Sequence, residues 1–266
     1  MGVMSSPSLL GKVLVVAGGT TGLGLSAVQS FVEAGAKVVA FGRSSESVAA
    51  ARSALPDNTL FFGGDATDPR SAERAVEMAE REFGGFHGLY HVAGGSGRRL
   101  GDGPLHEITD EGVAATLNLN LASAIYSNRA AVRSFLKSGH PGSILTMGSV
   151  LGWAPSPRYF ATHVYAAAKS AVVGFVKSCA GCYAPHGIRF NVLAPALVET
   201  PMARRAAGDD TIMNFIRTKQ PLDGGRIGKA SDLDAAAVYF MSDGSRFTTG
   251  QVLAVDGGWC VSEGQF

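Results

Sequence analysis

Residues 13–17, Val-Leu-Val-Val-Ala, form a short apolar run with no polar interruption. Such a run suits a strand buried on both faces of a parallel sheet. Four glycines among residues 18–24 follow at once, and apolar residues then recur at helical spacing through Leu25, Val28, Phe31 and Val32 to a stop at Gly35. The same rhythm repeats along the chain. Strands are predicted near 38–41, 60–62, 89–93, 143–146, 189–193 and 251–255, and helices near 47–53, 70–83, 111–137 and 165–183. Strands separated by helices at this interval call for βαβ units with right-handed crossovers. The expected fold is α/β: a Rossmann-type, doubly wound, mainly parallel seven-stranded sheet with helices on both faces, formed by residues 1–266 as a single domain.

One stretch breaks the rhythm. Residues 200–226 mix Met202, Ile212, Met213, Phe215 and Ile216 with Arg, Asp and Gly. Ligands of open α/β sheets bind beyond the carboxyl ends of the strands, so an insertion there reads as a substrate lid or pocket wall. A pair of plain surface helices is the alternative.

Composition removes several functions. Hydrophobic residues make up 46% and charged residues 17% of the chain, as in a compact globular protein. A net charge of +1 offers no basic stripe for nucleic acid. No apolar run is long enough to span a bilayer, and Met1 to Lys12 lacks the apolar centre of a signal peptide. The expectation is a cytoplasmic protein with a small-molecule substrate and no nucleic-acid or membrane partner. Gly2 and Ser6 fit the N-myristoylation template, set against a frayed terminus. The three cysteines suit a reducing compartment. Cys179 and Cys182 form a C-x-x-C, but no second pair completes a zinc site, so they read as packing residues and no metal is expected.

The turn Gly18-Gly19-Thr20-Thr21-Gly22-Leu23-Gly24 joins the first strand to the first helix. Glycine there permits positive φ and close approach to a pyrophosphate, while the helix N-terminus presents free N–H groups to the anion. Thr20 can add a hydroxyl donor. The second strand ends Gly42-Arg43-Ser44. An acid at its end would accept both hydroxyls of an adenosine ribose and repel a 2′-phosphate. Gly42 brings no acid, Arg43 can clasp a 2′-phosphate bidentately, and Ser44 can add a contact. NADP(H) is therefore expected over NAD(H). Asp68-Pro69 reads as a helix cap with proline in the first turn.

Tyr165 and Lys169 lie one helical turn apart on one face. A nearby positive charge lowers a phenol's pKa by about 1–3 units, which makes tyrosine usable as an acid or base near neutrality. Ser149 closes the preceding strand region, where a substrate oxygen could be held.

From Gly11 to Gly258 the chain resembles the short-chain dehydrogenase/reductase family, whose phosphate loop reads T-G-x-x-x-G-x-G; Ala17 replaces the threonine here. The resemblance implies a Ser149–Tyr165–Lys169 triad, with Ser149 polarising a carbonyl, Tyr165 moving the proton and Lys169 also holding the nicotinamide ribose. It assigns the relay asparagine to Asn120, with Asn118 as a close competitor. It places Asp65 and Ala66 at the adenine, and Ala93 and Gly94 along the cofactor. Pro195, Val198 (through its backbone) and Thr200 fall at the nicotinamide. There are departures. His91-Val92-Ala93-Gly94 stands where the family has Asn-Asn-Ala-Gly, and Ala196 replaces a glycine. The stretch Ala154 to His163 is longer than usual, which makes Trp153, Phe160 and His163 either pocket lining or packing. The implied activity is hydride transfer between NADP(H) and a carbonyl or secondary alcohol, by a homotetramer or homodimer. The alternative is a non-catalytic cofactor sensor or assembly protein. Enoyl-thioester reduction usually goes with a wider Tyr–Lys spacing.

Overall fold

The computed structural model describes residues 8–265, so the Gly2 and Ser6 pattern lies outside the described residues, as do the side chains of Met202 and Arg204. Seven strands, β1 (Val13–Ala17), β2 (Lys37–Gly42), β3 (Thr59–Gly63), β4 (Gly88–His91), β5 (Gly142–Met147), β6 (Ile188–Pro195) and β7 (Val252–Val255), form one sheet in the order β3-β2-β1-β4-β5-β6-β7. Every neighbouring pair is parallel. The order reverses between β1 and β4, which opens a crevice at the strand ends there.

The uninterrupted apolar strands are explained by two cores. In β1, Val13, Val15 and Ala17 enter one core while Leu14 and Val16 enter the other. In β2, Val39 and Phe41 part from Val38 and Ala40 in the same way. Alternate side chains point to opposite faces, so both sets must be apolar when both faces are covered. Helices α3 (Pro69–Phe83), α5 (Ser123–Ser138) and α6 (His163–Tyr183) cover one face. Helices α1 (Gly22–Glu33), α2 (Ser45–Ala54) and α9 (Asp234–Met241) cover the other. As predicted, Asp68 caps α3, accepting from Arg70 N–H at 3.0 Å, with Pro69 opening the helix.

Two boundaries differ from the sequence reading. β4 stops at His91 instead of running to residue 93, because Val92 and Ala93 N–H both donate to Ala17 C=O (2.8 and 2.9 Å) and bend the chain across the end of β1. The helix predicted over 111–137 is divided into α4 (Asp110–Leu117) and α5 by a π-helical turn at Asn118–Ala122. Such turns push one residue out of register, and here that turn contains Asn120.

Residues 200–226 hold α7 (Arg204–Ala207) and α8 (Asp210–Lys219). Ile212, Phe215 and Ile216 of α8 form a third apolar cluster with Val150, Ala206 and Trp259. Phe215 lies 5.1 Å from Tyr159 and 6.0 Å from Trp259 between ring centroids, and Trp259 Nε1 donates to Ala154 C=O at 2.9 Å. The segment is thus packed against both the loop after β5 and the residues after β7.

Candidate active site

The glycine turn after β1 is compressed to the limit of what backbone allows. Gly18 and Gly22 take φ of 82° and 53°. A Cβ on Gly18 would lie 2.7 Å from Ala93 N, and one on Gly24 only 2.1 Å from Gly18 O. The turn therefore brings α1 hard against β1 and β4. Thr21 opens α1 without a side-chain cap, and no acidic residue occupies the first turn. The amide dipoles at this end are left to meet an anion. This glycine cradle fits the pyrophosphate of a dinucleotide. Leu23 packs against the neighbouring core.

The edge beside it is fuller than the sequence suggests. Thr20 is buried, and its Oγ1 accepts from Ser47 Oγ at 3.0 Å. It stands directly over Gly42, where a Cβ would come within 2.1 Å of that oxygen. Glycine is needed at 42 to admit Thr20, so the position does not offer open room. Ser44 is engaged as the cap of α2, accepting from Ser47 N–H at 3.2 Å and donating to Glu46 Oε2. Arg43 is exposed at the mouth of the same turn. Asp65 Oδ1 accepts from Thr67 N–H and Oγ1 (2.9 and 2.8 Å), shaping the turn after β3, while Ala66 packs on the core. Across the crevice, Pro195 ends β6. Val198 bridges Gly228 through Glu199 N–H and Leu197 C=O, so its own amide is not consumed by that bridge. Thr200 Oγ1 donates to Val198 C=O at 3.3 Å and lies across from Gly22.

Ser149, Tyr165, Lys169 and Asn120 converge at the end of β5. Ser149 is buried, and its hydroxyl accepts from Leu151 N–H at 3.3 Å and is hydrogen-bonded to the Tyr165 phenol. Lys169 is buried one turn along α6, donating from Nζ to Met147 C=O at 2.8 Å and lying 5.7 Å from the Tyr165 ring centroid. Asn120 Oδ1 accepts from Gly95 N–H at 3.0 Å, and Nδ2 donates to Gly95 and Thr116 carbonyls at 2.9 and 3.0 Å. A Cβ on Gly94 would meet Asn120 Oδ1 at 2.9 Å and Lys169 Nζ at 3.4 Å. Asn120, and not Asn118, thus reaches this cluster.

The electrostatics are not those predicted. Burial pushes the Tyr165 phenol up, and the Ser149 hydrogen bond only partly offsets it. Lys169 is lowered to about 8 by burial, so it has lost its charge before the phenol titrates and does not offset that rise. Tyr165 therefore stands protonated at neutral pH.

Two further residues have roles that the sequence reading did not give them. His91 is fully enclosed, with Nδ1 2.7 Å from Ser127 Oγ and Nε2 3.4 Å from Ser123 Oγ. Burial first, and the nearby Lys169 charge second, push it down to about 3. The folded chain holds His91 neutral where the unfolded chain would protonate it near 6.5. The stability this contributes is present above pH 6.5 and is lost as pH falls from 6.5 toward 3. Between pH 7 and 5 that is roughly 2 kcal/mol. Urea unfolding at the two pH values should therefore show a smaller acid loss in His91→Asn than in the parent. Equal losses would mean that His91 is not the group responsible. The second residue, Asp102, is buried in a loop between two glycines and bonds to the start of α6. Nothing in its sequence setting marks it. Cys179 and Cys182 are free thiols, Cys179 pushed up by burial, and Phe160 packs against Trp259 at 5.7 Å.

Comparison with known proteins agrees with this geometry. The sequence profile of the family described as enoyl-(acyl carrier protein) reductase matches residues 17–260. Momilactone A synthase of Oryza sativa subsp. japonica is 34% identical over 261 residues, covering 97% of this chain and 93% of that protein. The 3-oxoacyl-[acyl-carrier-protein] reductase FabG of Escherichia coli (strain K12) is 33% identical, covering 93% of this chain and 97% of that one. A short-chain type dehydrogenase/reductase from Mycobacterium ulcerans superposes with a TM-score of 0.87 at 28% identity, covering 97% of this chain and 94% of that one. No helix among the described residues is long and apolar enough to cross a membrane. Sheet order, glycine cradle and near full-length similarity agree: the chain belongs to the short-chain dehydrogenase/reductase family, oxidoreductases that bind a nicotinamide cofactor.

Proposed function

We propose that this oxidoreductase transfers hydride between NADP(H) and a carbonyl or secondary alcohol, with Tyr165 carrying the proton. The observation that carries this reading is the Ser149–Tyr165 hydrogen bond above a buried Lys169, at the end of β5 and beside Gly94. The bound nicotinamide supplies or accepts the hydride. Residues 18–24 would hold its pyrophosphate, Arg43 and Ser44 its adenosine end, Asp65 and Ala66 its adenine, and Ala93, Gly94, Pro195, Val198 and Thr200 its nicotinamide half. Ser149 would orient the substrate oxygen and Tyr165 would give it a proton. A phenol kept protonated by burial suits the reductive direction, where a proton must be supplied to the forming alkoxide. The three-residue gap between Tyr165 and Lys169 favours a carbonyl over an enoyl thioester as the acceptor.

The cofactor assignment rests on Arg43. A charge-assisted hydrogen bond to a 2′-phosphate gives about a ten- to hundredfold preference. Exposure and salt screening pull it toward the low end, as does Glu46 on the same turn. Arg43→Ala should raise the KM for NADPH about tenfold while leaving that for NADH nearly unchanged. Initial rates with both cofactors, against a panel of ketones, aldehydes and secondary alcohols, test both claims. A parent that prefers NADH, or a variant with parental NADPH kinetics, would refute the NADP assignment. No turnover on any of the panel would favour the non-catalytic alternative.

A further inference from the structure

The helix bearing Tyr165 and Lys169 begins without a cap of its own. Thr162 stands before its first residue, His163, and makes no side-chain hydrogen bond to the helix. The first intrahelical bond is Ala166 N–H to Thr162 C=O at 3.1 Å. The N–H groups of the preceding residues therefore need outside acceptors. Asp102 supplies two. Its Oδ1 accepts from Val164 N–H at 3.1 Å and its Oδ2 from Tyr165 N–H at 2.8 Å. These are the positions that a local cap would serve, but the carboxylate comes from another loop, more than sixty residues earlier in the chain. It is buried at 4% exposure.

That loop is itself fixed. Asp102 N–H donates to Gly97 C=O at 3.1 Å, as does Leu100 N–H at 2.7 Å. Gly97 takes φ of 72°, and a Cβ there would collide with Thr116 Oγ1 and Asp102 Cβ, at 2.3 and 2.9 Å. Two residues before Gly97, Gly95 is gripped on both its N–H and its C=O by Asn120. A continuous set of bonds thus runs from Asn120 through the loop after β4 to the backbone of Tyr165. A local cap would fix the helix start only against its own chain. The remote carboxylate fixes it against the loop that flanks the site.

We propose that Asp102 is a positioning residue for Tyr165: its bidentate hold on Val164 and Tyr165 N–H sets the phenol at hydrogen-bond reach of Ser149. This rests on the reading of Tyr165 as the proton carrier. When the clamp is lost, the first turn of α6 should fray and the Ser149–Tyr165 bond lengthen, while the cofactor cradle across the crevice stays intact. Because that bond is what draws the phenol down, its loss should move the alkaline limb of the pH–rate profile upward.

Asp102→Ala and the nearly isosteric Asp102→Asn are to be compared with the parent on the carbonyl compound that the parent reduces fastest. Turnover is expressed per NADPH-binding molecule. Asp102→Ala should lower kcat about tenfold, leave the KM for NADPH unchanged and shift the alkaline limb of kcat upward. Asp102→Asn, which keeps one acceptor, should fall between. Amide exchange should quicken in peptides covering 162–168 and not in those covering 172–183, a readout independent of turnover. In a Tyr165→Phe background, Asp102→Ala should cost nothing further. Parental kcat and pH profile in both variants would overturn the proposal even where Tyr165→Phe is inactive. Exchange quickened throughout α6, or no NADPH-binding protein from either variant, would overturn it too, by making Asp102 a residue of general stability. Full turnover in Tyr165→Phe would instead remove the reading on which the proposal rests.

Discussion

Tyr165→Phe should lower turnover by about 10²–10⁴-fold, the usual worth of a positioned general acid or base, while NADPH still binds. The substitution keeps the ring and its 5.7 Å approach to Lys169. It removes only the hydroxyl that pairs with Ser149, whose own oxygen stays bonded to Leu151 N–H. The pH dependence gives the claim a second edge. Burial raises the phenol, so in the parent the acid form persists through neutrality, and reductive kcat should fall only above the ordinary tyrosine range. Lys169 loses its charge near 8 in the free chain, so alkaline losses should appear earlier in the KM for NADPH than in kcat. The Phe variant should keep the KM change and lose the kcat limb. Initial rates from pH 6 to 11 separate the two, and a variant that turns over at the parental rate would remove Tyr165 from the proton path.

Gly24→Ala should weaken NADPH binding by about 10²-fold, although it adds a single methyl group. That methyl would stand 2.1 Å from Gly18 O and 2.8 Å from Gly18 C, both backbone atoms that cannot swing aside. Gly18 has no room to retreat, since its N–H donates to Phe41 C=O at 2.9 Å and its Cα faces Ala93. The start of α1 must move out by about 1 Å to restore ordinary contact, and the amides proposed to meet the pyrophosphate move with it. Overpacking of this kind costs about 1–3 kcal/mol of stability as well. Gly181→Ala, where nothing lies within 4 Å of the new carbon, is the control and should leave NADPH affinity unchanged without lowering stability. NADPH fluorescence titration and thermal melting measure both effects. Parental affinity in the Gly24→Ala variant would mean that the cradle is not a phosphate site.

The sheet was legible because burial on both faces forces long apolar runs, and glycine marks the turns between them. The closeness of Tyr165 and Lys169 was legible because two residues one turn apart remain neighbours in any helix. What escaped was long-range. The π-turn around Asn120 leaves no mark in a helical pattern, since its apolar and polar residues would suit an ordinary helix. Thr20 over Gly42 joins residues of two different strand ends, so the demand for glycine at 42 comes from a contact that no local reading shows. The raised phenol depends on how much protein surrounds it, which spacing does not reveal.

The aromatic packing of Tyr159, Phe215 and Trp259 has a practical bearing on how the protein is handled. Through it, residues 259–265 brace the same wall that α8 and the 149–163 loop present beside Ser149 and Tyr165. Gln265 N–H still donates to Thr218 Oγ1 at 2.7 Å, and Lys219 Nζ is bonded to Ser262 C=O. Trimming or altering residues 259–265 therefore acts on α8 and on the loop after β5 as well, because all three share one apolar cluster.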